Sequence, residues 1–107
     1  MGRINSFGNS VTIDDTVRKS VAGTAITVGA LPAGANGCTI RVIANAAKTD
    51  SAPAINKSTT GVPTASTGMP LWNGDVYEMY PDELTTTKFI SADGLTHTIC
   101  IEFNRLS

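Results

Sequence analysis

Short runs of alternating apolar and polar residues, each closed by Gly, Pro, Asn or Asp, succeed one another along most of this chain. A period of two marks strands with one buried face, and no stretch carries the 3.6-residue period of an amphipathic helix. The clearest run is 38–46. There Cys38, Ile40 and Val42 share one phase, while Thr39, Arg41 and Asn45 take the other and Ile43 is the exception. The last run, 95–105, places Ile99, Ile101 and Phe103 on one face.

Between these lie further strands. Residues 16–21 alternate with Val17 and Val21 on one side. Residues 24–29 alternate again, and the Ala22-Gly23 pair between the two predicts a hairpin turn. A connection rich in turn residues, 31–37, leads into the 38–46 strand. The stretch 47–68 is too long for a structureless loop in a small domain, so short strands are expected near 54–56 and 64–66. Residues 69–71 precede an Asn73-Gly74-Asp75 turn, and 76–80 follow it as a strand closed by Pro81. Residues 82–84 suit a single helical turn, and 85–92 a strand with Phe89 and Ile90 on opposite faces. Asp93-Gly94 makes another hairpin turn. The sum is seven or eight short strands, an all-β chain folded as an antiparallel β-sandwich or jelly roll.

Residues 1–15 lack a clean period and read as an N-terminal arm, with 16–107 as a single sandwich domain. Ile4 and Phe7 in that arm are apolar, so the arm is expected to dock on this domain, on a second copy or on another protein.

Charge narrows the function. Eight Lys and Arg stand against nine Asp and Glu, a formal net charge of -1. No basic excess exists to neutralise phosphates or to hold an anionic membrane surface, so neither nucleic acid nor membrane is expected as a partner. The longest apolar runs are a few residues, and the N-terminus lacks a signal-peptide core, which predicts synthesis in the cytosol. Cys38 and Cys100 fall in opposite strand phases, one inward and one outward, so two free thiols are expected.

Catalytic patterns are sparse. His97 is the single histidine, in phase with Ile99, and reads as a partly buried strand residue without metal-ligand partners. Asp14-Asp15 and Asp82-Glu83 are adjacent pairs, which point to opposite faces on a strand and suit turn capping better than acid–base work. No enzyme, cofactor or metal is expected. The bulky residues gather instead around one turn. Trp72 stands beside it, Tyr77 and Met79 share one face of the next strand, and Tyr80 shares the other with Val76 and Glu78. A strand bulky on both faces is either covered on both or offers one face to a partner. Trp72, Tyr77, Met79 and Tyr80, with Ile4 and Phe7 of the arm, are therefore the candidate subunit contacts.

From Gly23 onward the chain runs GTAITVGALPAGANGCTIRVIANA, then GVPTASTGMPLWNGDVYEMYPDELTTTKFISADG, then THTICIEFNR. In the order and spacing of these pieces it resembles a group of small virion structural proteins of tailed bacteriophages. Arg41, Pro63, Thr64, Gly68, Met69, Pro70, Gly74, Asp75, Leu84, Phe89 and Ile90 fall on the shared pattern, whereas Trp72 does not. The resemblance implies a β-sandwich without catalytic residues that coats capsids or sits at the head–tail region. The expected function is capsid decoration, cementing the outer surface of the head shell. A head–tail or tail component that touches the host is second, and a carbohydrate-binding module with Trp72 and Tyr77 as a stacking platform is third. The expected partners are the major capsid protein, other virion proteins and copies of the chain itself, a trimer being the expected form. The expected location is the virion, assembled in the bacterial cytoplasm.

Overall fold

The computed structural model describes residues 10–106, and Ile4 and Phe7 lie outside them. Seven strands form two antiparallel sheets packed as a sandwich: β1 (Ser10–Val21), β2 (Gly37–Ile43), β3 (Ile55–Ser58), β4 (Met69–Leu71), β5 (Val76–Met79), β6 (Lys88–Ser91) and β7 (His97–Leu106). The larger sheet has the order β1-β7-β2-β5 and the smaller β4-β3-β6.

Alternation fixes which side of each strand faces the core. Ile99, Ile101 and Phe103 of β7 are buried, as are Cys38, Ile40 and Val42 of β2. The register pairs them directly, Cys38 with Phe103, Ile40 with Ile101 and Val42 with Ile99. The opposing sheet supplies Ile55, Leu71 and Phe89, with Leu84 and Val28 from the connections. Burying each large apolar side chain contributes about 1.5–3 kcal/mol. Phe89 is buried while Ile90 beside it is half-buried on the other face, as their phase predicts.

Several connections differ from the sequence expectation. Residues 16–21 and 24–29 do not form a hairpin. β1 runs its whole length along β7, from Ser10 opposite Leu106 to Val21 opposite His97. Ser10 to Asp15, expected in the arm, are thus the first half of a strand. The alternation there is blurred by two irregularities, between Thr12 and Asp14 and between Asp14 and Val17. Beyond Val21 the chain crosses to the small sheet. Ala22 accepts from Ser91 N–H at 2.9 Å, and Ile26 exchanges two backbone bonds with Phe89, 2.7 and 2.9 Å. Those bonds satisfy the outer edge of β6, which would otherwise be open to pairing.

The long stretch 47–68 holds β3 and an isolated bridge between Thr64 and Thr67, near both expected sites. It also folds over the outer face of the small sheet. Asn56 Nδ2 donates there to Thr64 and Ala65 carbonyls at 3.0 and 3.1 Å, so an outward asparagine is buried. Residues 80–87 form hydrogen-bonded turns around Glu83, and β6 is shorter than the predicted 85–92.

Neither Asn73-Gly74 nor Asp93-Gly94 closes a hairpin. β4 and β5 belong to different sheets, and so do β6 and β7. The reason is in the backbone. A hairpin-closing type I′ turn needs positive φ at both central residues. Gly74 has φ 87 and Gly94 has φ 82, but no described non-glycine residue has positive φ. Asp75 N–H donates to Trp72 O at 3.0 Å, which with Gly74 in the third place gives a type II turn. Such a turn splays its flanking strands and carries the chain from one sheet to the other.

The cysteines follow their phases. Both are free, Cys38 fully buried and Cys100 partly exposed on the outer face of the large sheet. Burial, helped by the charge of Glu83, pushes the Cys38 thiol up to about 12. In native protein at about pH 8, a thiol reagent should label Cys100 alone, and Cys38 should react only after unfolding. Labelling of both at equal rates would contradict the placement of β2. Packing is checked by substitution: Phe89→Ala should cost about 3–5 kcal/mol in urea unfolding, and Ile90→Ala clearly less.

Candidate functional site

Two arrangements stand out where the chain crosses between the sheets, a polar knot and a cleft beside Trp72.

The knot is centred on His97, the first residue of β7, which is fully buried. This is deeper than the partly buried histidine expected, because the residue lies in phase with Ile99 on the inner face. Its polar ring is accommodated by bonds at both nitrogens. Asn45 N–H donates to Nδ1 at 2.9 Å, so Nε2 carries the proton that goes to Asp93 Oδ1 at 2.7 Å. Leu95 N–H donates to the same carboxylate at 3.0 Å, and Lys48 Nζ reaches its Oδ2 at 3.0 Å. Lys48 also donates to Asp50 at 2.6 Å, and its side chain is only 5% exposed. Burial raises the Asp93 carboxyl, but the bonds from His97, Leu95 and Lys48 outweigh it and hold the group well below the usual carboxylate range.

A His–Asp pair invites comparison with a catalytic dyad. In such a dyad the carboxylate orients one nitrogen and the other faces the reacting group. Here that second nitrogen is occupied by a backbone N–H, so the ring in this arrangement has no site from which to take a proton. The knot acts as a clasp: it ties the β6–β7 corner to the loop after β2. Among the described residues, no group of three or more His, Cys, Asp or Glu is placed to hold a metal ion. None of Asn45, Lys48, Asp50 and Asp93 was singled out from the sequence as a site residue. The one available signal was the spacing of Asp93 and His97 across a glycine turn.

The cleft has a volume of about 410 Å³ and is lined by residues 44–46, Lys48, 50–52, Trp72 and Asn73. Its walls are held from several sides. Trp72 Nε1–H donates to Ser51 O at 3.0 Å, and Trp72 N–H to Asp75 Oδ2 at 2.7 Å. Ala44 N–H donates to Asn73 Oδ1 at 2.9 Å, and Gly74 N–H to Val42 O at 2.8 Å. The indole is therefore fixed in position while 43% of the residue remains exposed.

The bulky residues around β5 do not form one cluster. Met79 is fully buried opposite Cys38, so it is a core residue and not a subunit contact: its phase is that of Ile40. Tyr77 is half-buried. Its hydroxyl donates to Glu83 Oε1 at 2.6 Å, and Lys57 Nζ lies 4.2 Å from its ring centre. Burial and the bond to Glu83 raise its pKa to about 12. Trp72 and Tyr77 are held by separate bonds, the first to Ser51 and Asp75 and the second to Glu83. Tyr80 is 41% exposed just past the far end of β5. At the other end of β5, on the outer face of the large sheet, Val76 pairs with Arg41 and is 38% exposed; Ile43, two residues further along β2 and away from Tyr80, is also 38% exposed.

The fold and these two arrangements define a seven-stranded antiparallel sandwich with a clasped corner. No family model, curated protein or solved structure matches the chain.

The clasp predicts the direction of acid sensitivity. Asp93 titrates lower in the folded chain than in the unfolded one, where the usual value is near 3.8. Its contribution is complete above that value and is lost as pH falls below it. Urea unfolding should show wild-type stability dropping from about pH 4 to about pH 2. Asp93→Asn should be less stable at about pH 7 and show a shallower drop. Some slope should persist, because Asp14 and Asp50 are also lowered, by bonds from Thr16 and from Lys48 respectively. An unchanged slope in Asp93→Asn would remove the clasp from the acid response.

Proposed function

We propose that this chain is a structural protein of a bacteriophage virion, a capsid decoration protein that binds the outer surface of the head shell and stabilises it. Its action is contact between surfaces, without catalysis. The observation that carries this is a set of exposed apolar side chains on the outer face at the β2–β5 edge, spaced among Arg41 and Glu78. Ile43, Val76 and Tyr80 stand there at 38%, 38% and 41% exposure, outside a core that is already closed. Outward apolar residues at a sheet edge are suited to a partner surface, and aromatic anchors concentrate at such contacts. The order of sequence pieces from Gly23 onward supports the phage setting. The partners on this reading are the major capsid protein and further copies of the chain.

The test is binding of purified protein to heads that lack it, followed by cosedimentation and by electron microscopy of the bound density. Wild type should saturate sites on the head. The pair Ile43→Glu with Val76→Glu should bind at least about 30-fold more weakly, since buried anchors contribute about 2 kcal/mol or more. Its melting temperature should stay within a few degrees of wild type. Failure of wild type to bind the heads, or equal binding by the double variant, would reject the decoration reading or the contact surface respectively.

A further inference from the structure

We propose that the cleft beside Trp72 is a binding site for neutral saccharides. Four properties of the cleft support this. The first is size: about 410 Å³ accommodates one or two sugar rings. The second is the indole of Trp72, a residue 43% exposed, fixed by its bond to Ser51 O. A fixed aromatic surface stacks on the C–H face of a pyranose at little cost in side-chain entropy.

The third is the polar rim. Asp50 is 66% exposed at its side chain, and one of its oxygens already engages Lys48 and Ala52 N–H. The carboxylate is thereby held in place through one oxygen, and the other is the acceptor assigned to vicinal hydroxyls. Asn73 spends its Oδ1 on Ala44 N–H, which orients its Nδ2 as a donor on the opposite side. An indole, an acceptor and a donor lining one cleft match the amphipathic faces of a sugar. The fourth is charge. Lys48 is the one cation among the described lining residues, it is 5% exposed, and Asp50 and Asp93 both occupy it. An anionic sugar finds no counter-charge, so the site selects neutral ones. This site adjoins one end of the proposed contact row, where Ile43 precedes Ala44 of the cleft lining, while Tyr80 lies beyond the far end of β5. The inference does not use the virion reading.

The test uses the isolated full chain. Trp72 is its single tryptophan, so indole fluorescence reports this cleft alone. Maltotriose, cellotriose, mannotriose and chitotriose are the neutral probes, and sialyllactose is the anionic control. At least one neutral trisaccharide should change the fluorescence saturably, with a dissociation constant on the order of 1 mM or tighter. By calorimetry or ligand-observed NMR, Trp72→Ala should bind at least about tenfold more weakly and Asn73→Asp should be weakened as well. Asn73→Asp keeps the acceptor for Ala44 N–H, so its circular dichroism spectrum should match that of wild type. No saturable change with any of the four probes, equal binding by Trp72→Ala, or preference for sialyllactose overturns the proposal.

Discussion

The inner face of β7 is the constraint on which the sandwich depends. β7 is hydrogen-bonded on both edges, to β1 and to β2, and delivers Ile99, Ile101 and Phe103 to the core. A slip of one residue against β2 would send Cys100 and Glu102 inward and these three outward. With Phe103 held opposite Cys38 and Ile99 opposite Val42, β5 pairs with the other edge of β2 so that Met79 falls opposite Cys38 and is buried. The small sheet is then set by what must cover this face, Ile55, Leu71 and Phe89.

The corners follow from that packing. A chain of short strands that must fill two layers has to cross between them repeatedly, and type II geometry at Gly74 supports a crossing where type I′ would force a return. Each crossing exposes backbone groups, and side chains answer them: Asn73 and Asp75 at one corner, Ser91 and Asp93 at the other. Lys48 and Asn45 extend from the loop after β2 to join the second set. The rigidity of the cleft is a by-product of these bonds, because the residues lining it are the ones that close the corners.

Much of the sandwich was legible in the sequence because its strands have one dry face. The phases of Cys38, Ile40 and Val42, and of Ile99, Ile101 and Phe103, needed only alternation. Pairing partners were harder. Ala22-Gly23, Asn73-Gly74 and Asp93-Gly94 all announce reversal, but a turn does not say whether the chain returns to the same sheet. The first half of β1 was hidden by its bulges, which break the period that marks a strand. Trp72 and Tyr80 were legible as candidates for contact, and Met79 was misplaced because both faces of its strand are bulky and alternation alone cannot rank them. The bonds from Trp72 to Ser51 and from Asn45 to His97 join residues far apart in the chain. No local pattern announces them.

Division of the bulky set by a single step of phase has a consequence for how one small domain can serve two surfaces. Tyr77 and Met79 turn inward and lock β5 to the core, the first through Glu83 and Lys57 and the second through Cys38. That anchoring holds β5 still at both ends. Val76 and Tyr80 then present a fixed outer row, and Trp72 at the preceding corner presents a fixed ring. Neither surface has to order side chains on binding, so each contact retains more of its gross interaction energy. In the proposed setting, Ile43 lies beside Ala44 of the cleft, so a domain held to a shell by its outer row places the Trp72 corner at the margin of that contact. The same inward residues that stabilise the sandwich thereby fix where both outward surfaces stand.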